Sequence, residues 1–317
     1  MDTVRISGKK SQVSPGAMEV VPAKPRRGGL PFKLLMTAVL GLTLVSVAAP
    51  TASLAPIAIG SEAFDARFGH IQGACCTDDA IYLTQMKCLY KFDWSGKLLK
   101  KQSVISHTGD ICFWKGEIYT SVSVYGGPNK GKGMIQVFDQ ELNLVRETLL
   151  DRGTDGITIL DGVLYLGMGS NHVPSKEAHR ENWVGRFDPK TLKPLGERQI
   201  IDFGYATHYG IQDISNDGKH ILCAFYPAVK GQPEFIVFDK DLKVVRADCT
   251  YHASNGFDRL PARFGGDHPR FFRVKTVMSP KNKAEPKAQR KLSVKIDFFE
   301  WNDGKAVDIT ASRQMDK

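Results

Sequence analysis

Sustained helical patterns are missing from most of this 317-residue sequence. After residue 60, no stretch repeats apolar residues at the spacing of an amphipathic helix, so helix is expected to be nearly absent. Long apolar runs are equally scarce, and a single one approaches the length that crosses a bilayer, which excludes a polytopic membrane protein. The 42% of hydrophobic residues excludes disorder as the main state, because this content is enough for a buried core.

Sequence motifs of several enzyme classes are also missing. The chain has no G-x-S-x-G, Walker loop, Rossmann fingerprint or H-E-x-x-H, so serine hydrolases, nucleotide-binding proteins and zincins have no support. Six cysteines are present without a C-x-x-C pair, which leaves structural zinc and thioredoxin chemistry without support. The even count permits disulfides, and plain buried thiols are the alternative.

Positive charge is concentrated in two short segments. The formal net charge is +9, yet residues 1–33 contribute +5 and residues 281–295 another +5, which leaves −1 for the rest. A nucleic-acid-binding protein more often presents a basic folded face with interleaved aromatic residues. The distribution therefore predicts no nucleic-acid partner and favours a local positive rim for a small acidic ligand.

The N-terminal segment has the layout of an export signal. A basic flank, residues 1–33, precedes the apolar segment 34–56. This segment is either a cleaved signal peptide or an uncleaved anchor formed by residues 34–50. Both alternatives keep the flank cytoplasmic and make residues 57–317 one exported domain, periplasmic or extracellular, which contacts the membrane through the N-terminal segment alone.

One unit recurs five times in the predicted exported part. Phe-Asp occurs at positions 92, 138, 187 and 238, and a degenerate Phe-Glu follows at position 299. An apolar pair, such as Ile81-Tyr82 in the first unit, precedes each of these dipeptides, and a glycine in polar surroundings precedes the pair. The five glycines are Gly73, Gly109, Gly156, Gly210 and Gly256.

Each unit divides into four short β-strands. Turn dipeptides such as Lys115-Gly116 and Asp161-Gly162 supply the backbone conformations that tight hairpins need. Four strands in each unit of 40–50 residues predict an all-β fold, a five-bladed β-propeller of four-stranded antiparallel blades. The ring closes either with one repeat per blade or with an exchanged strand, which residues 57–68 would supply to blade 5.

In this repeat pattern the chain resembles the short-repeat propellers of the NHL, lactonase and YncE-like type. The resemblance covers about residues 65–312 and rests on the pattern, with no diagnostic motif. It implies a propeller fold and an axial pocket, and it carries over no catalytic residue.

The predicted topology places the long loops and the starts of the innermost strands on one face. Strands alternate in direction from axis to rim, so the loop between the second and third strands lies beside the start of the first. Loops on a rigid scaffold are where binding usually resides. The loops carry Lys130, Lys132, Lys230 and most of the basic segment 281–295.

Polar residues recur at the starts of the innermost strands and predict a ligand-binding funnel. His107, His208 and Asp155 are the candidate catalytic residues, with a histidine as general base and Asp155 as orienting carboxylate or acid. The same three residues are candidate ligands of a divalent metal ion. Bonding to the backbone of neighbouring blades is the structural alternative for each polar residue. The candidate ligand-binding residues are Gln72, Asp110, Tyr209, Gln212, Asn255, Asp258, Lys130, Lys132 and Lys230.

Two function classes follow from these features. The first is an exported propeller that binds a small polar or anionic ligand, such as an acidic saccharide, in its funnel. If it is an enzyme, metal-assisted or His/Asp-assisted hydrolysis or elimination is the expected chemistry. The second is a non-enzymatic scaffold that binds a protein partner through the loop face and segment 281–295. The Phe-Asp aspartates are expected to cap turns and to take no part in catalysis.

Overall fold

The computed structural model describes residues 54–105, 107–169, 180–201, 204–227, 229–249, 251–253, 255–277, 291–302 and 304–311. The flank, the apolar segment up to residue 53 and most of segment 281–295 lie outside the described residues. Within the described residues, no helix is long and apolar enough to cross a membrane. Strands dominate this part of the chain, as the sequence predicts.

Four consecutive strands form each of the first four sheets. Blade 1 comprises β2 (Ile71–Cys76), β3 (Ala80–Gln85), β4 (Cys88–Asp93) and β5 (Leu98–Ser103). Blade 2 comprises β6 (His107–Trp114), β7 (Glu117–Ser123), β8 (Gly133–Asp139) and β9 (Leu144–Leu150). Blade 3 comprises β10 (Thr154–Leu160), β11 (Val163–Met168), β12 (Asn182–Phe187) and β13 (Gln199–Ile201). Blade 4 comprises β14 (Thr207–Asn216), β15 (Ile221–Pro227), β16 (Phe235–Phe238) and β17 (Val244–Cys249).

Two short strands, one from each end of the described chain, together form the outermost strand of blade 5. Its inner strands are β18 (Phe257–Arg259), β19 (Arg270–Val277) and β20 (Ser293–Asn302). The outer edge of β20 pairs with β1 (Ile57–Ile59) along one half and with β21 (Lys305–Asp308) along the other. Ring closure therefore uses an exchanged N-terminal strand, which decides between the two closures that the sequence leaves open. The prediction of a five-bladed β-propeller is confirmed.

The repeated glycines let neighbouring innermost strands approach each other closely. A Cβ atom on Gly73 would come within 2.4 Å of the Asp110 Cα, and one on Gly109 within 3.1 Å of the Asp155 Cα. Side chains at these positions would push the blades apart, so glycine is required by close backbone approach. The same contacts bring the polar starts of successive strands together around the axis.

The Phe-Asp aspartates hold the turns that follow the third strand of each blade. Asp93 Oδ1 accepts the backbone N–H groups of Ser95 and Lys97 at 2.9 and 3.0 Å. In blade 2, Asp139 Oδ1 accepts the N–H groups of Glu141 and Asn143, both at 2.9 Å. Asp188 and Asp239 accept equivalent bonds. The expected capping role is confirmed.

Asp139→Ala should lower the free energy of unfolding by about 1 kcal/mol, because two turn N–H groups lose their acceptor at an exposed site. Urea denaturation of the full chain measures the change. Asp139→Asn is the matched control, since an asparagine oxygen still accepts the turn bonds and the loss should shrink to a few tenths. Equal losses for both variants would contradict the capping role.

The hydrophobic core lies between the blades. Tyr90 and Phe92 of blade 1 pack with Phe272 and Phe298 of blade 5, all of them buried. On the other side of blade 5, Phe271 packs in one cluster with blade 4 residues. The thiols of Cys75, Cys76, Cys88, Cys112 and Cys223 are buried and form no disulfide. For these five cysteines, the buried-thiol alternative holds.

Candidate functional site

The structure brings His107 and Asp155 together at the axis. His107 begins β6, Asp155 is the second residue of β10, and the two blades are neighbours. The His107 Nδ1 lies 3.9 Å from the Asp155 Oδ1, and the two side chains are 16% and 13% exposed. Neither atom has a hydrogen-bond partner among the described residues. A ligand atom between them would find two unsatisfied polar groups.

Burial moves the pKa values of this pair in opposite directions. Burial raises the pKa of Asp155 to about 7, and the Gln212 side chain opposes the rise by hydrogen bonding to the carboxylate. Burial lowers the pKa of His107 to about 4, and repulsion from His70 lowers it further. Near neutral pH, Asp155 is therefore half protonated and His107 is neutral.

The innermost strand of blade 4, β14, contains a strained bulge at its start. The register with β15 shifts between His208 and Ile211, and Tyr209 has a φ of 63° in the left-handed region. A bulky aromatic residue rarely adopts this conformation, and such strain concentrates at functional sites. Gly210 follows with a φ of 82°, and the Gln212 side chain donates to the Tyr209 carbonyl at 3.3 Å. The bulge thus joins Tyr209 to the residue that contacts Asp155.

Aromatic rings and amides surround the axial pair. The Tyr125 ring meets the His107 ring edge-on at 4.9 Å between centroids. Burial raises the pKa of Tyr125, and the negative charge of Asp155 raises it further. On the far side, Tyr226 contacts the Tyr209 ring at 6.3 Å. The remaining polar members are Asn255, which donates to the Tyr226 hydroxyl at 3.3 Å, and Gln72, which lies 3.3 Å from His70.

Three further carboxyl groups lie on the same innermost strands, Asp110 and Asp213 completely buried and Asp258 half-buried. Asp110 accepts N–H bonds from Ile111, Ile157 and Ile214 at 2.8, 2.9 and 2.8 Å, and so ties blades 2, 3 and 4 together. Asp258 accepts the Ser215 hydroxyl at 2.8 Å and the Cys76 N–H at 3.4 Å, which ties blade 5 to blades 4 and 1.

Asp213 is the third of these carboxyl groups. Burial and then the charge of Asp110 raise its pKa, and a side-chain hydrogen bond joins it to Asp110. Because Asp110 is stabilised as a carboxylate by three N–H groups, the proton of this pair belongs on Asp213.

His208 and the three predicted loop lysines lie outside the pair of His107 and Asp155. His208 contacts the Tyr209 ring at 6.1 Å but does not join His107 and Asp155 in a ligand group. Among the described residues, no group of three or more His, Cys, Asp or Glu side chains could hold a metal ion. Lys130 and Lys230 are exposed and Lys132 is half-buried, all on loops of the funnel face.

Sequence reasoning missed three residues of the candidate site. His70 precedes β2, Tyr125 follows β7, and Tyr226 lies near the end of β15. Tyr125 and Tyr226 share one signal, because each stands where the second strand of its blade runs into a long loop. His70 carries no comparable signal.

Solved structures similar to this chain share its fold at low identity. Bacteroides ovatus xyloglucan PUL GH43B has a TM-score of 0.52 and 11% identity, over 79% of this chain and 57% of that chain. The bifunctional GH43-CE protein of Bacteroides eggerthii has a TM-score of 0.51 and 13% identity, over 80% and 36%. The glutaminyl cyclase of Myxococcus xanthus has a TM-score of 0.47 and 11% identity, over 78% and 97%.

No protein-family model and no curated protein sequence matches the chain. Identities this low show a common propeller fold and nothing about activity. The β-propeller fold is therefore supported, the NHL, lactonase or YncE-like type in particular is not shown, and function has to be argued from the site.

Proposed function

We propose that the axial funnel binds a small polar ligand of the saccharide type, and that Asp155 transfers a proton to or from it. The observation that carries the proposal is the pair of buried, unsatisfied atoms, His107 Nδ1 and Asp155 Oδ1, 3.9 Å apart. Buried polar atoms without partners are rare in folded proteins, and they are expected where a ligand supplies the missing bonds.

The lining of the funnel supports a saccharide as the ligand class. Tyrosine rings offer apolar faces with polar tips, and the amides of Gln72, Gln212 and Asn255 both donate and accept hydrogen bonds. A sugar presents matching C–H faces and hydroxyl groups. Lys130 and Lys230 on the surrounding loops favour a sugar that carries a carboxylate.

The pKa values support Asp155 as the group that transfers the proton. An efficient general acid or base has a pKa close to the working pH, and the pKa of Asp155 is about 7. His107, with a pKa of about 4, stays neutral and acts as a hydrogen-bonding partner. The sequence suggests a histidine as general base with Asp155 as orienting carboxylate or acid; in this proposal Asp155 alone transfers the proton. Hydrolysis and elimination both use such a group.

Tyr125→Ala should weaken binding of an acidic oligosaccharide about tenfold, because the ring forms one wall beside His107. Calorimetric titration of the full chain with a panel of neutral and uronic-acid oligosaccharides measures the change. Leu149→Ala is the matched control, since Leu149 is similarly exposed but lies on the outer strand of blade 2. If no oligosaccharide of the panel binds, or if both variants bind like the wild type, the proposed ligand class is wrong.

We also propose that residues 1–56 direct export of the propeller. The basic flank and the apolar run support this proposal. Fusing residues 1–56 to a phosphatase that is active outside the cytoplasm should give phosphatase activity, and deleting residues 34–50 should abolish it. Equal activity with and without residues 34–50 would contradict export by this segment.

A further inference from the structure

The outer part of blade 5 carries a group of cations away from the funnel. β18 pairs with β19 no further than Arg273, so residues 274–277 and their partners on β20 project beyond the innermost strand. Arg273, just before this projection, lies opposite Asp297, and Lys275, on the projection, lies opposite Lys295. Residues directly opposite each other in antiparallel strands share one face. The three cations therefore stand on one face around a single carboxylate.

Asp297 holds the two lysine side chains side by side. The Lys275 Nζ lies 2.6 Å from its Oδ2 and the Lys295 Nζ lies 2.9 Å from its Oδ1. Asp297 is 3% exposed, whereas Lys275 and Lys295 are 42% and 48% exposed. One buried carboxylate thus fixes two ammonium groups whose other donors face solvent. An ammonium group has three donors, so each lysine keeps two for a ligand.

Three cations and two carboxylates lie in or around this cluster. Burial opposes ionisation of Asp297, but hydrogen bonds from Lys275 and Lys295 hold its pKa below the ordinary value, so it carries one negative charge. Arg273 lies 4.0 Å from the same carboxylate, and Asp308 lines the same cleft as the two lysines, which leaves one positive charge in excess. Like charges directly opposite across two strands destabilise a sheet, and an anion bound between the lysines would offset that cost.

A cleft lies directly beside the two lysines. It has a volume of about 650 Å³, and its lining includes Lys275, Ser293, Lys295 and Asp297 from β19 and β20. Gly60, Asp308 and Thr310, from the two ends of the described chain, also line it. The cleft is separate from the axial funnel and shares none of the residues proposed to bind there.

We propose that the lysine pair, Lys275 and Lys295, binds the phosphate or sulfate group of a soluble ligand in this cleft. Two fixed ammonium groups match the charge and the several acceptor oxygens of a tetrahedral oxyanion. Asp297 is a positioning residue, because it orients both lysines and is itself repelled by the anion. The proposal does not depend on the function of the funnel.

Titration of the full chain with inorganic phosphate at low ionic strength tests the proposal, with binding followed by calorimetry. Lys275→Gln/Lys295→Gln should weaken phosphate binding at least tenfold. Lys240→Gln/Lys243→Gln removes the same charge from an exposed turn of blade 4 and should change binding less than twofold. Equal effects of the two double variants would show that overall charge alone attracts phosphate, and would overturn the site.

Asp297→Asn separates orientation from charge. The variant adds positive charge to the cluster, so simple attraction predicts tighter phosphate binding. Loss of the shared carboxylate frees the two lysines, so the proposal predicts weaker binding, and unchanged or tighter binding would overturn it. Vesicles of phosphatidylglycerol distinguish the source of the phosphate group. Binding to these vesicles without binding to inorganic phosphate would overturn the proposal that the ligand is soluble.

Discussion

The free energy of unfolding of the Asp155→Asn variant should rise relative to that of the wild type by about 4 kcal/mol between pH 4 and pH 8. The pKa of Asp155 is about 7 in the folded chain, against an ordinary value of 3.8. A folded-state pKa raised in this way gives stability that is present at acid pH and lost as the pH rises through 7. Three pKa units correspond to about 4 kcal/mol, and the neutral amide avoids the loss.

His107 acts in the opposite direction and has to be separated from Asp155. Its pKa is about 4 in the folded chain, against an ordinary 6.5, so its contribution to stability is lost as the pH falls from 6.5 towards 4. In the wild type, the two effects offset each other over most of this interval. The difference between Asp155→Asn and the wild type removes the histidine contribution, because both proteins keep His107.

Urea denaturation at a series of pH values measures the effect. Asp139→Asn is the control, since the N–H and amide groups of Asn143 lower the pKa of Asp139 from its ordinary 3.8. Its difference from the wild type should be flat from pH 5 to pH 8. Asp155→Asn should also lower turnover of any substrate at least a hundredfold, as expected for loss of a general acid or base. Full turnover would contradict the proposed role.

Asp110→Ala should lower the free energy of unfolding by more than about 4 kcal/mol. The substitution leaves three buried N–H groups, of Ile111, Ile157 and Ile214, without their acceptor, and each costs about 1–3 kcal/mol. A loss of this size is a large share of the 5–15 kcal/mol that stabilise a typical domain. Differential scanning calorimetry should show a lower Tm or no cooperative transition.

Asp213→Asn is the matched comparison for Asp110→Ala. Asp213 is equally buried but takes no part in the three N–H bonds that Asp110 accepts, and its raised pKa indicates that it carries a proton. An amide replaces that protonated carboxyl with little change of shape, so stability near pH 7 should change by less than about 1 kcal/mol. Similar losses for both variants would contradict the division into an ionised Asp110 and a protonated Asp213.

The fold could be predicted from the sequence because each blade repeats the same local constraints. The Phe-Asp dipeptides cap turns through backbone bonds that need an aspartate, and Gly73 and Gly109 stand where neighbouring strands touch. The exchanged strand β1 could be suspected but not decided, because Ile57–Ile59 carries no repeat signal. It can pair with β20 because β20 has ten residues, whereas the innermost strand β18 has three.

The candidate site could be predicted in part. His107 and Asp155 meet as the strand starts indicate, and Tyr209 contacts the ring of His208. Asp110 resembles Asp155 in the sequence, yet it is fully buried and bonds to three backbone groups. Each residue along a strand adds about 3.3 Å of depth, so two residues separate a funnel position from a buried one. Bulges in β6 and β14 shift the register further, and no sequence pattern marks them.

The most direct test of the proposed site is the titration of Asp155 itself. Carbon-13 NMR of the side-chain carboxyl groups, with the Asp155 signal assigned from the Asp155→Asn variant, gives its pKa in the folded chain. The structure predicts a midpoint near pH 7. Replacing Gln212 by alanine should raise this midpoint, because the Gln212 side chain hydrogen-bonds to the carboxylate and lowers its pKa. A midpoint near pH 4 would contradict proton transfer by Asp155 at the centre of the funnel.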